Sequence, residues 1–137
     1  METANYTGTQ NIFRLLLGLF LLSAGTGHLT FARIGFQAQV PDWVPLDKDL
    51  TVVLSGYVEI ALGAAIALLK TYRVRMGIIA AIFFVLVFPG NISQYVNSRN
   101  ALGMHTDSER LARLFFQPIL IVWALWSSGA WKAIRQN

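Results

Sequence analysis

Four apolar stretches, each about 20 residues long, take up most of this chain, and their length decides what they can become. At 1.5 Å per residue, a helix of that length crosses a hydrocarbon core of roughly 30 Å. The stretches run from Ile12 to Phe31, Leu50 to Leu69, Arg75 to Tyr95 and Leu111 to Ser128. Hydrophobic residues make up 55% of the 137 positions and charged residues 13%. An ordinary soluble domain is charged at roughly a quarter of its positions, so a water-soluble fold would lack the polar surface to cover itself. The expected fold is all-α: one integral membrane domain over residues 1–137, an antiparallel bundle of four transmembrane helices.

The ends and sides of the stretches carry further signals. Tyr6, Trp43, Tyr72, Tyr95 and Trp131 fall near predicted helix ends, as interfacial anchors do. Leu15 to Leu22 followed by Ser23-Ala24-Gly25 resembles a secretory signal, but Glu2 replaces a basic leader and the apolar run continues past the small residues, so it reads as a membrane helix. Arg14, Lys70, Arg73, Arg75, Lys132 and Arg135 gather on the side of the two termini, while the basic residues of the opposite loops are matched by acidic ones. This bias places both termini in the cytoplasm. The net charge of +4 then reflects topology, and with no basic stripe interleaved with aromatics, nucleic acid is not an expected partner. The absence of cysteine excludes disulfides, thiolate metal sites and iron–sulfur ligation within this chain.

Each stretch also carries strongly polar residues: His28, Glu59, Asn91 with Gln94, and Gln117. Such groups at hydrocarbon depth cost several kcal/mol unless they face a partner or water, which makes them functional candidates by default. Helical spacing puts Arg14, Gly18, Leu21, Gly25 and His28 on one face of the first helix, and Gly56, Glu59, Gly63 and Ala67 on one face of the second. Small residues on those faces let backbones approach closely. Depth estimates from 1.5 Å per residue put all the polar residues in the outer half of the membrane. The connection Gln37 to Leu46 contains Pro41, Trp43 and Pro45, a composition suited to folding back over the mouth of a bundle. The expectation is a lidded, lipid-accessible pocket.

Each residue has a plainer alternative. Glu59 either binds or takes a proton, or clamps two helices; His28 is its chemical partner or merely its hydrogen-bond partner. Asn91, after Pro89-Gly90, orients a ligand or bonds between helices. Arg110 fits snorkelling to the interface, whereas Arg113, deeper and on the Gln117 face, fits a ligand-binding role better. Arg14 fits an interfacial anchor or a cap on backbone carbonyls. The short Lys70 to Arg75 connection makes the second and third helices an antiparallel hairpin. No metal site is expected: His105 with Asp107 and Glu109 could approach His28 and Glu59, but the spacing matches no zinc or di-iron helix motif.

In order and spacing the chain resembles the DoxX family of small four-helix membrane proteins. The carrying residues are Arg14-x-x-x-Gly18, Ala24-Gly25-x-x-His28, Pro41-x-Trp43-x-Pro45, Ser55-Gly56-x-x-Glu59, Gly63, Phe88-Pro89-x-Asn91-Ile92 and Arg113-x-x-x-Gln117. The resemblance covers the chain from Arg14 to about Trp126 and implies a four-helix bundle in a bacterial inner or plasma membrane. Some relatives are described as subunits of quinone-linked oxidoreductases or membrane redox complexes, and fold is better supported than reaction.

The expected function is therefore binding of a small lipophilic molecule, with a quinone as the candidate cofactor. Glu59 and His28 are the expected catalytic residues, exchanging protons with it. Trp43, Asn91, Gln94, Arg113 and Gln117 are the expected ligand-binding residues. Electrons would have to come from a redox partner protein or another substrate, and a homo-oligomer is a further candidate assembly. The alternative is a non-catalytic assembly or interaction subunit whose polar seam serves packing.

Overall fold

The computed structural model describes residues 6–37, 40–96 and 106–136, apart from the side chain of Asp107. All regular structure among them is helical. Four long helices dominate: α1 (Gly8–Leu29), α3 (Lys48–Leu68), α4 (Arg73–Val96) and α5 (Asp107–Ser127). A short α2 (Arg33–Phe36) lies in the first connection, a 3-10 turn (Lys70–Tyr72) joins α3 to α4, and α6 (Ala130–Arg135) follows α5.

Local chemistry sets the helix starts. Thr7 and Gln10 form a reciprocal capping box on α1, with Gln10 N–H donating to Thr7 Oγ1 at 3.0 Å and Thr7 N–H donating to Gln10 Oε1 at 3.1 Å. Asp47 accepts from Leu50 N–H at the start of α3, and Thr106 accepts from Glu109 N–H at the start of α5. Gly129 ends α5 with φ +83°, a left-handed conformation that glycine adopts without steric cost, and the chain re-enters helix as α6. A Cβ at Gly129 would also fall 2.3 Å from the Tyr6 ring. Gly129→Ala is expected to cost about 1–2 kcal/mol from backbone conformation alone, read as a lower thermal unfolding temperature in detergent.

Three helical segments are long and apolar enough to cross a membrane: Gly8–Leu29, Lys48–Leu68 and Lys70–Val96. They are consistent with an integral membrane protein. Helix α5 matches them in length but is more polar, carrying Glu109, Arg110, Arg113 and Gln117. Large apolar side chains face outward on all four long helices, among them Leu19, Tyr57, Leu86 and Ile119. Exposed apolar surface this continuous suits lipid rather than water. Inside, Leu17, Leu21, Leu62, Ile66, Phe84, Leu120 and Ala124 share one core.

Close packing is concentrated in two helix pairs, α1 with α3 and α4 with α5. On α1, Gly18 and Gly25 are seven residues apart; on α3, Gly56 and Gly63 are too. They meet in opposite order: a Cβ at Gly18 would sit 2.9 Å from Gly63 O, and one at Gly25 would sit 2.7 Å from Gly56 O. Two successive turns of backbone contact fix an antiparallel register, the close approach that small residues permit between membrane helices. Gly77 does the same for α4 against α5, where a Cβ would collide with Ser128. Consecutive helices α3 and α4, expected to pack as a hairpin, touch far less than either pair. The turn between them links the two pairs.

At the end holding the start of α1, the 3-10 turn and α6, side chains cap the C-terminal carbonyls of two helices. Arg14 donates to the Ile66 and Ala67 carbonyls of α3, the second of its two expected roles. Arg73, expected only as a marker of the cytoplasmic side, is buried: it donates to Ser128 O at 3.2 Å, Ser127 O at 2.7 Å and Asn11 Oδ1 at 2.8 Å, and stacks on the Tyr6 ring. Gln10 donates to Trp126 O in the same layer.

Candidate functional site

The opposite half of the molecule holds a cavity of about 560 Å³ between the two pairs. Its wall includes His28 from α1, Glu59 from α3, Asn91 from α4, and Arg113 and Gln117 from α5. Residues brought together only by helix-face spacing in the sequence thus share one space. Much of the remaining lining is apolar: Phe20, Phe36, Val52, Phe84, Phe116 and Leu120.

His28 Nδ1 and Glu59 Oε2 lie 2.7 Å apart, and the two side chains are nearly buried. The contact lies off the line of a good hydrogen bond, and neither atom has another hydrogen-bond partner. At that separation an ion pair or a shared proton is the stable arrangement, because two facing lone pairs would repel. The glycine seam causes this proximity: a Cβ at Gly56 would sit 2.8 Å from His28 Cβ, so α3 lies against the backbone turn that carries the imidazole. Phe36 of α2 packs its ring edgewise on His28, with centroids 3.7 Å apart.

On the other pair, a polar relay runs through Gln117. Its Nε2 donates to the Phe84 carbonyl at 2.7 Å, and its Oε1 accepts from Asn91 Nδ2 at 3.0 Å and Arg113 Nη1 at 3.3 Å. A carbonyl can only accept, so Phe84 fixes which end of the Gln117 amide faces Asn91 and Arg113. Pro89 sits within α4 just before this layer and offers no N–H to the preceding turn, which makes side-chain donors useful here. Asn91 Oδ1 is buried without a partner.

Of the expected ligand-binding residues, Gln94 is the one that does not reach the cavity wall. It is fully buried nearby within α4 and has its own interactions. Arg110, expected to snorkel, is buried instead. Trp43 lines the cavity from its rim and is 73% exposed. Val40, Pro41 and Val44 of the same connection also line it.

Sequence reasoning missed Phe36 and the pin that holds its helix. Arg33 Nε donates to Asp49 Oδ1 at 2.8 Å, Nη2 donates to Oδ2, and Gln37 Nε2 donates to Oδ1 at 3.0 Å, tying α2 to the start of α3. Asp49 raises the Arg33 pKa above its ordinary value, by the hydrogen bond first and by charge second, so the pin stays charged. Arg33 and Asp49, sixteen residues apart, gave no local pattern to find. His105 lies outside the described residues, as does the side chain of Asp107; among the described residues no cluster of three metal-ligating side chains occurs.

No curated protein and no solved structure matches the chain. A family model does match, over residues 17–128, a span that contains the glycine seam, the cavity residues and the first connection. The chain belongs to that family, described as Domain of unknown function (DUF8561).

Proposed function

We propose that this is a DoxX-like, multi-pass protein of a bacterial inner or plasma membrane that binds a small lipophilic molecule in the cavity between its helix pairs. In this reading α5 is a fourth membrane span, both termini are cytoplasmic, and the Pro41–Pro45 connection covers the pocket from the outer side. The observation that carries it is the cavity itself. A volume of about 560 Å³ falls within the roughly 300–1,000 Å³ of small-molecule sites, and an apolar wall with a few convergent polar groups is their usual construction.

A quinone fits that description, with an apolar ring for Phe36, Phe84 and Trp43 and oxygens for the polar groups. When bound it would supply two-electron redox chemistry, with electrons from a partner protein. This chain's own part is to hold the ring, to hold or move a proton at the Glu59–His28 pair, and to keep water from the site. Asn91 and Gln117 serve by fixing the side of the cavity opposite that pair.

The test is thermal unfolding of the purified protein with a short-chain quinone and related apolar molecules. A ligand at 100 times its Kd stabilises by about 2.7 kcal/mol, so a clear rise in melting temperature is expected, reduced in Glu59→Gln. If no lipophile shifts the melting temperature and Glu59→Gln changes nothing, the reading is wrong.

One observation favours an interaction subunit as the second reading: a shallow apolar groove of about 310 Å³ on the outer face of α1 and α5, formed by Phe13, Ile119, Val122, Trp123 and Trp126. Cross-linking in native membranes distinguishes the two, because a scaffold should be recovered with a larger protein and tolerate Glu59→Gln.

A further inference from the structure

Arg113 is the polar group of the cavity whose bonding is least complete. Its guanidinium carries five N–H donors and can accept nothing. Among the described residues it makes one hydrogen bond, from Nη1 to Gln117 Oε1. None of them forms an ion pair with it. The two nearby amides supply no more: Gln117 Oε1 is already shared with Asn91, Gln117 Nε2 can only donate, and Asn91 Oδ1, the acceptor left over, makes no hydrogen bond to the guanidinium. Glu59 is near enough for the charges to interact, but Oε2 is turned to His28.

A cation held beside an apolar chamber with donors to spare is costly unless an anion completes it. The relay from Phe84 also makes Arg113 directional: a backbone carbonyl orients Gln117, and Gln117 Oε1 draws one arm of the guanidinium and leaves the others for the cavity. Across the chamber, Nδ1 and Oε2 of the His28–Glu59 pair are enclosed against each other, which leaves His28 Nε2 and Glu59 Oε1 as the pair's atoms on the cavity side. In the form of this contact that holds one proton, on Nδ1, Nε2 carries the lone pair and accepts. An oxygen that brings both a proton and latent negative charge satisfies the two sides at once.

Resting on the lipophile-binding reading, we infer that the ligand carries one ionisable oxygen, a carboxylic acid or a phenolic hydroxyl on an apolar body. That oxygen faces Arg113, and its O–H is directed to His28 Nε2. Neutral esters and ethers of the same shape fill the chamber but give the guanidinium no hydrogen-bonded anion. A bond from Arg113 to a neutral oxygen has one charged partner, whereas the ionised oxygen makes both partners charged and allows a bidentate pair, and this difference is the source of the selectivity.

The test uses two matched pairs of probes, decanoic acid with methyl decanoate and 4-hexylphenol with 4-hexylanisole, titrated into the purified full chain while tryptophan fluorescence is followed; Trp43 at the rim is the reporter. At least one ionisable member should bind ten-fold or more tightly than its capped partner, and which pair shows the difference tells a carboxylate from a phenol. In Arg113→Gln that preference should fall to within about two-fold while the capped probe still binds, which shows the chamber intact. Arg113→Lys, which keeps the charge without the fork, should retain part of the preference. Equal binding of capped and free forms to the unaltered protein overturns this inference and leaves the lipophile reading standing, as does a preference that survives intact in Arg113→Gln. Failure of all four probes overturns both.

Discussion

Gly25→Val will lower the stability of the bundle by about 3 kcal/mol, the upper part of the usual range for overpacking, and will abolish ligand binding with it. At this position the obstacle is backbone. The first added carbon would meet Gly56 O at 2.7 Å, Ile60 Cγ1 at 2.7 Å and Ile60 N at 3.0 Å, and two of those three atoms have no rotamer by which to move aside. Helix α1 must then shift away from α3 at the turn that brings His28 to Glu59. A stability loss in thermal unfolding should therefore come with loss of lipophile binding at temperatures where the variant is still folded. Gly8→Ala is the control, since a Cβ there meets nothing within 4 Å. An unchanged melting temperature for Gly25→Val would mean that the seam is not as close as described.

Arg73→Met should be of similar size, about 3 kcal/mol, for a different reason. Hydrogen bonds to charged groups are worth about 1.5–3 kcal/mol each, and acceptors left buried without a donor add their own cost. Arg73 serves Ser127 O, Ser128 O and Asn11 Oδ1 together, and methionine fills the space without serving any. Lysine should not rescue, because a single ammonium on a flexible stem does not reproduce the planar fork that spans three acceptors on two elements. The cavity is at the far end of the molecule, so binding of a lipophile at low temperature should persist in Arg73→Met. Loss of binding without loss of stability would contradict this division between a structural end and a ligand end.

The helices themselves were plain in the sequence, because length and hydropathy are local. Each apolar stretch lies within a few residues of an observed helix; α1 begins at Gly8 rather than Ile12 since Thr7 and Gln10 form a cap ahead of the apolar run. Face periodicity also selected His28, Glu59, Asn91, Arg113 and Gln117, all of which line one cavity. Periodicity says which residues share a face but not which helix that face meets. This is why the short α3–α4 connection was legible but the tighter α1–α3 and α4–α5 pairing was not, and why Gln94, one turn beyond Asn91, was expected in a wall it does not reach. Charge counting treated Arg73 and Arg110 as surface residues. Both are buried, and the burial of Arg73 depends on carbonyl ends and an amide from distant parts of the chain, which no window of sequence contains.

The arrangement of two tightly knit pairs joined by a three-residue turn has a mechanical consequence. Deforming either pair means breaking glycine-to-backbone contact, whereas parting the pairs at the chamber end disturbs the sparser packing between them, with the Arg73 and Gln10 hydrogen bonds holding the other end together. The softest direction of the molecule is thus the one that widens its chamber, a rocking of halves in which no helix has to unwind or slide.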